Sequence, residues 1–144
     1  MEENGYDFTF SNYDVEYPDG KIILFAPKHD FVTYKMLLKT NYIGCLTVIY
    51  NCKNLGKKYI PMDATKREDH AYWLDITKSG AKAYRLNESL ACYRVGEGSV
   101  SSKKFQMFKY QYKMYRIHEK FNPFKSLHYT LIVTFNKIFK KYGH

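Results

Sequence analysis

The chain has 144 residues, 45% of them hydrophobic and 18% aromatic, and a formal net charge of +9. That length suits one domain with a useful core, and the apolar content excludes a disordered chain. The charge favours a polyanionic partner such as nucleic acid, acidic lipid or a phosphorylated ligand, without choosing among them.

Residues 6–17, YDFTFSNYDVEY, alternate Tyr6, Phe8 and Phe10 with Asp7, Thr9 and Ser11, the period of a half-buried strand. The PDG that follows at 18–20 is a turn, because proline presets its own dihedral and glycine accepts a positive one. KIILFAP then reads as a second strand, which makes 6–26 a hairpin. FVTYKMLLKT (31–40) suits a short helix, and CLTVIYN (45–51) a strand rich in branched and aromatic residues. Residues 53–66 are polar and hold Gly56 and Pro61, as a loop would.

Thr65 and Glu68 have the spacing of a capping box, and Gly80 is placed to end the helix they would start. AKAYRL and SLACYRV read as two strand segments separated by Asn87 and Glu88, and GEGSVSS (96–102) as a flexible loop. From 103 the pattern is helical, with Phe105, Phe108, Tyr112 and Tyr115 on one stripe until Pro123 interrupts it. A second helix carries Leu127, Leu131, Phe135, Ile138 and Tyr142 along one side. Its apolar stretch is too short and too interrupted to cross a bilayer. MEENGYDF lacks the basic and then apolar start of a secretory signal.

Cys45, Cys52 and Cys92 lack the spacing of a zinc or redox motif and read as reduced thiols in a cytosolic setting. The five histidines are scattered, with no pair at metal-ligand spacing.

The segment KREDHAYWLDITKSG holds the most chemistry. Capping and the helix dipole alone account for Glu68 and Asp69 in a first turn. The alternative starts from Asp69, Trp73 and Ile76 at i, i+4 and i+7. A carboxylate beside an aromatic wall suits a general base on a sugar hydroxyl, with Trp73 stacking on the sugar's C–H face.

The order NYIGCLTVIYN, REDHAYWLDITKSG, AKAYRLNESLACYRVGEGSVS and a Lys/Tyr-rich helix resembles the C-terminal half of bacterial family 2 glycosyltransferases. These enzymes have the GT-A fold and build capsular, teichuronic-acid and exopolysaccharide chains. The likeness runs from about Tyr6 to about Tyr142. Its most specific pieces are the Glu-Asp pair with a downstream Trp-Leu and the run L-A-x-Y-R-x-x-x-x-S ending at Ser99.

The resemblance implies an α/β fold: a partial GT-A-like mixed sheet with covering helices and a C-terminal two-helix tail. Residues 1–102 would be the acceptor-side part, and 103–144 the amphipathic helices. It implies Asp69 as the base of an inverting sugar transfer, with Glu68 as its partner. Tyr93 and Arg94 match the family's YR, and Arg94 would contact the donor diphosphate, where its planar fork suits phosphate oxygens. A surface ion pair is the competing account of Arg94. Asn41 and Gly44 would border the acceptor cleft.

The family's D-x-D motif, which holds a divalent Mg or Mn on the donor side, has no match here. Asp14 and Asp19 lie five apart in the hairpin. The expectation is therefore an acceptor half without metal ligands of its own, inactive alone and prone to pair with a donor-binding half or with a second copy. The implied partners are a nucleotide-sugar donor and a glycan or lipid-linked acceptor. The C-terminal helices either pack on the sheet with their lysines in water or rest on an acidic membrane surface. The expected location is the cytoplasm, with a peripheral position on the inner face of the plasma membrane in the second case. Two rival readings remain: a basic nucleic-acid-binding module, disfavoured because no recognised motif accompanies the Lys/Tyr runs, and a non-catalytic interaction module.

Overall fold

The computed structural model describes residues 1, 4–96 and 104–140. Most of the 96–102 loop, Ser99 and Tyr142 lie outside the described residues.

The alternation in the first segment produces β1 (Phe8–Glu16), whose Phe8 and Phe10 turn into the core. It forms the expected hairpin with β2 (Ile22–Phe25), pairing Tyr13 with Phe25 and Glu16 with Ile22. Gly20, at φ 80°, closes the turn by donating its amide to the Tyr17 carbonyl at 2.9 Å. Asp19 Oδ1 accepts the Lys21 amide at 3.0 Å.

The 31–40 segment divides into a two-residue strand β3 (Phe31–Val32) and one turn of helix, α1 (Tyr34–Leu37). Of the expected strand at 45–51, Cys45–Thr47 forms a 3-10 turn and only β4 (Val48–Tyr50) is extended. The next stretch opens with α2 (Cys52–Leu55), capped by the Asn51 side chain on the Lys53 amide.

Helix α3 (Glu68–Thr77) begins later than the capping-box spacing predicts. Arg67 occupies the N-cap, without a side-chain cap, and Thr65 is exposed in the preceding turn. The reason is local: Lys66 takes φ 62°, and the Arg67 amide bonds to the Ala64 carbonyl at 2.7 Å. Glu68 and Asp69 are therefore the first two helical residues, where the dipole favours both. The helix buries Ala71, Trp73, Leu74 and Ile76. Burying a large apolar side chain contributes roughly 1.5–3 kcal/mol. Gly80, at φ 99°, follows the helix as expected.

β5 (Ala83–Arg94) is one strand rather than two. It runs parallel to β1, and its register jumps from Ser11 opposite Leu86 to Asn12 opposite Ser89. Asn87 and Glu88 thus form a bulge, which Arg85 Nη1 holds by donating to Asn12 and Asn87 at 3.2 and 2.5 Å. The mixed five-stranded sheet has the order β2-β1-β5-β3, with β4 beside the first half of β1. With its covering helices this is an α/β architecture.

α4 (Lys104–Lys113) runs into a π turn (Met114–His118), and α5 (Pro123–Lys140) follows. Asn122 caps α5, accepting the Lys125 amide at 2.8 Å, with Pro123 in the first helical position. The buried line of the first helical run is Met107, Gln111, Met114 and Tyr115; of the expected stripe Tyr115 is buried, Phe108 and Tyr112 are half-buried and Phe105 is 72% exposed. Tyr115 enters the same core as Phe8 and Leu74, and its hydroxyl donates to the Leu38 carbonyl at 2.7 Å.

α5 faces the body with Ser126, Tyr129, Thr130 and Val133. Its apolar stripe of Phe124, Leu127, Leu131, Phe135 and Ile138 points outward. Among the described residues no helix is long and apolar enough to cross a membrane.

Candidate functional site

The first turn of α3, the loop after α1 and the end of the β1–β5 pair meet around Asp69. Asp69 is half-buried, and its Oδ2 accepts a hydrogen bond from Asn41 Nδ2 at 3.1 Å. Asn41 is itself oriented, because its Oδ1 accepts the Ile43 amide at 3.2 Å. Oδ1 takes no part in that bond. The carboxylate is thus anchored on one side and retains an acceptor atom on the other.

Gly44 lies three residues beyond Asn41 and is small for a steric reason. A Cβ at this position would sit 2.6 Å from Cε1 of Tyr13. The Tyr13 ring, stacked on Phe25 at 4.7 Å, fills that space. Burial first, then the charges of Tyr93 and Asp69, push the Tyr13 phenol up to about 12. Tyr13 therefore stays protonated and can donate a hydrogen bond near the carboxylate. Tyr93, exposed and in register beside Val15, belongs to the same neighbourhood.

Arg67 precedes the acidic pair. Burial lowers its pKa, the nearby Asp69 charge opposes that shift, and its Nε is buried without a hydrogen bond. It supplies a partly desolvated positive charge beside Asp69. His70 is fully enclosed, with Nε2 2.7 Å from the Leu37 carbonyl and Nδ1 3.2 Å from Gln111 Nε2. A carbonyl can only accept, so Nε2 carries the proton and Nδ1 accepts from Gln111. Burial pushes the pKa of this imidazole down. Burial and Asp69 together raise the Cys45 thiol, which keeps it protonated.

The remaining expected residues are placed differently. Glu68 is half-buried at the first position of α3. Trp73 lies in the core at 3% exposure, against Phe8 and Tyr72 at centroid distances of 5.8 and 5.2 Å. Its ring has no open face for a sugar. Arg94 donates from Nε to Glu16 Oε2 at 2.9 Å across the β1–β5 pair. Its side chain is 82% exposed, so that ion pair is easily exchanged. Asp14 is paired within the sheet and Asp19 serves the turn. These two carboxylates serve the hairpin rather than forming a ligand pair.

The resemblance names Asp69, Asn41, Gly44 and Tyr93; the fold bonds Asn41 to Asp69 and sets Gly44 against Tyr13. Tyr13 and Arg67 are the additions. Arg67 adjoins the acidic pair in the sequence, whereas Tyr13 reads there only as a strand residue.

No family model and no solved structure matches the chain. Curated relatives do. Over 127 residues the chain is 35% identical to TuaG of Bacillus subtilis, named as a teichuronic acid biosynthesis glycosyltransferase, covering 88% of this chain and 50% of that protein. Over 106 residues it is 37% identical to WfaP of Escherichia coli, covering 74% of this chain and 41% of that protein. Over 136 residues it is 32% identical to WfgD of Escherichia coli, covering 91% and 51%. Both Escherichia coli proteins are named UDP-Glc:alpha-D-GlcNAc-diphosphoundecaprenol beta-1,3-glucosyltransferase. The chain is therefore related to bacterial glycosyltransferases, and it spans about half the length of the curated relatives it matches.

Proposed function

We propose that this chain supplies the acceptor-binding side of an inverting glycosyltransferase of family 2, GT-A type, with Asp69 as the general base. Asp69 takes the proton of an acceptor hydroxyl while that oxygen attacks the anomeric carbon of a nucleotide-sugar donor. The bond from that carbon to the phosphate oxygen breaks, and its electron pair leaves with the nucleoside diphosphate. The observation that carries the reading is the Asp69 carboxylate, held by Asn41 through Oδ2 with Oδ1 left to accept. A base needs such an acceptor within about 2.6–3.2 Å of the proton it removes.

Asn41 fixes the carboxylate's orientation, and Arg67 sets a positive charge beside it. Tyr13 and Tyr93 offer hydroxyl and ring surface to the acceptor sugar. Glu68 stands beside the base as a second carboxylate for acceptor hydroxyls. Arg94 would exchange Glu16 for the donor's diphosphate. In the complete enzyme a divalent ion, Mg or Mn, would neutralise the departing diphosphate from the donor side.

The names of WfaP and WfgD suggest the substrate class: UDP-glucose as donor and a lipid-linked N-acetylglucosamine diphosphate as acceptor. A lipid-linked acceptor suits the outward stripe of α5, which would lie on an acidic cytoplasmic leaflet. The donor-binding part would come from further polypeptide or from a partner chain.

Saturation-transfer NMR with a soluble N-acetylglucosamine diphosphate glycoside tests the acceptor role directly. Transfer to the sugar ring is expected for the wild type and should be lost in Asn41→Ala. A wild-type chain giving no transfer at millimolar glycoside would overturn the reading.

A further inference from the structure

On α3, Asp75 lies six residues beyond Asp69, about 9 Å along the helix axis and on another face. It meets the π turn and the residue after it. His118 presents both ring nitrogens to carboxylates: Nδ1 is 3.0 Å from Asp63 Oδ1, and Nε2 is 3.1 Å from Asp75 Oδ1. Glu119 adjoins them, and one ligand atom from each of Asp75, His118 and Glu119 lies within 4.8 Å of the other two. The Glu119 side chain is wholly buried. Its Oε2 accepts from the Tyr34 hydroxyl at 2.5 Å and from Lys78 Nζ at 3.2 Å, while Oε1 is buried with no hydrogen-bond partner. Such an atom calls for a positive group or a donor that the described side chains do not supply.

We propose that Asp75, His118 and Glu119 bind a divalent first-row cation, zinc foremost. One imidazole nitrogen with two carboxylate oxygens is a donor set that zinc accepts. With an ion bound, Asp63 would be the outer partner, accepting the Nδ1 proton so that Nε2 can turn its lone pair to the ion. The Nε2–Oδ1 separation of 3.1 Å is close to what two ligands of one ion adopt at bond lengths of about 2.0–2.2 Å. Without an ion, Lys78 provides the countercharge, and its half-exposed side chain can swing into solvent when the ion enters. Asp75 and Lys78 also line a cleft of about 540 Å³ with Lys57, Lys58, Tyr59 and Ser79, which gives the route in. A bound ion would clamp the end of α3 to the junction between α4 and α5. Spacing along the chain hides the site, because its ligands come from segments 43 residues apart.

The test titrates the metal-free chain with zinc chloride and cobalt chloride, by calorimetry and thermal denaturation. All three exposed cysteines are replaced by serine so that thiols cannot bind the metal. One equivalent of saturable binding, a raised Tm and visible cobalt absorption are expected. His118→Gln and Glu119→Gln should each weaken binding at least tenfold, and Asp63→Asn by about 10- to 100-fold. Lys78→Met should tighten it, because the competing cation is gone. Should the buried Glu119 variant fail to fold, the solvent-reachable Asp63 and Lys78 variants decide. Absence of saturable binding, or binding indifferent to Asp63 and Lys78, overturns the site.

Discussion

Asn41 and Asp69, 28 residues apart, are joined by a single hydrogen bond of 3.1 Å that ties the loop after α1 to the first turn of α3. It fixes one carboxylate oxygen and leaves the other available. In the enzyme completed with its donor-binding part, Asp69→Asn should lower kcat by about 10²–10⁴-fold, the usual worth of a general base. Asn41→Ala should cost less and act on both kcat and KM, since it frees the carboxylate without removing it. Wild-type turnover by the Asp69 variant would remove it as base.

Gly44 and Tyr13 make a second test, of packing rather than chemistry. In Gly44→Ala the new methyl would meet the Tyr13 ring at 2.6 Å, so the ring must move. Overpacking of this kind costs about 1–3 kcal/mol, measurable by urea denaturation. Tyr13→Ala should relieve most of it in the double variant, giving a coupling that two independent sites would not show.

Trp73 separates core from cleft. Trp73→Ala should cost about 3–5 kcal/mol of stability, as truncation of a buried aromatic does. Trp73→Phe should keep acceptor affinity within error, because the ring faces Phe8 and Tyr72.

His70 predicts an acid limb in stability. Its folded pKa lies below the ordinary 6.5 because burial disfavours the charged form. At pH values between the two, the unfolded chain holds a proton that the folded chain lacks, so stability rises with pH there. The contribution is complete above about pH 6.5 and is lost as pH falls below it, at up to about 1.4 kcal/mol per pH unit. The groups acting on the ring are the Leu37 carbonyl, Gln111, Arg67 and Asp69. The difference in slope between wild type and His70→Gln, from urea melts at pH 5–8, isolates this contribution. Parallel curves would refute it.

The outward stripe of α5 should matter to lipid and not to folding. Leu131→Glu and Phe135→Glu, both more than half exposed, should change stability by only about 0.5 kcal/mol. Both should abolish flotation with vesicles containing acidic lipid. Flotation that ignores lipid charge, or survives both substitutions, would argue against the membrane-facing reading.

Features with local causes were legible in the sequence. The β1–β2 hairpin follows from period-two alternation and a turn tripeptide, and the end of α3 from Gly80. The late start of α3 was not legible, because nothing in the letters of Lys66 announces a positive φ. The inner face of α5 has a chemical reason that apolar spacing does not carry: Ser126 and Thr130 are buried at little cost because their hydroxyls bond to the Phe121 and Ser126 carbonyls. The leucines and phenylalanines are thereby left outside. At the site, Asp69 and its flanking Arg67 adjoin in sequence, but the Asn41 partnership and the Tyr13–Gly44 contact exist only once distant segments meet.

Between the pairs Thr9–Tyr84 and Glu16–Arg94, β5 takes ten steps while β1 takes seven. An odd surplus exchanges the two sides of a pleated strand, so Tyr84 and Tyr93 project the same way although an odd number of residues separates them. Removing one residue from 87–91 would leave an even surplus of two and eight steps between the two tyrosines, so Tyr93 would keep its side, beside Tyr13. The irregular stretch can thus absorb a change of one residue without altering which side chains meet, and a homologue one residue shorter here can keep the same aromatic in that position.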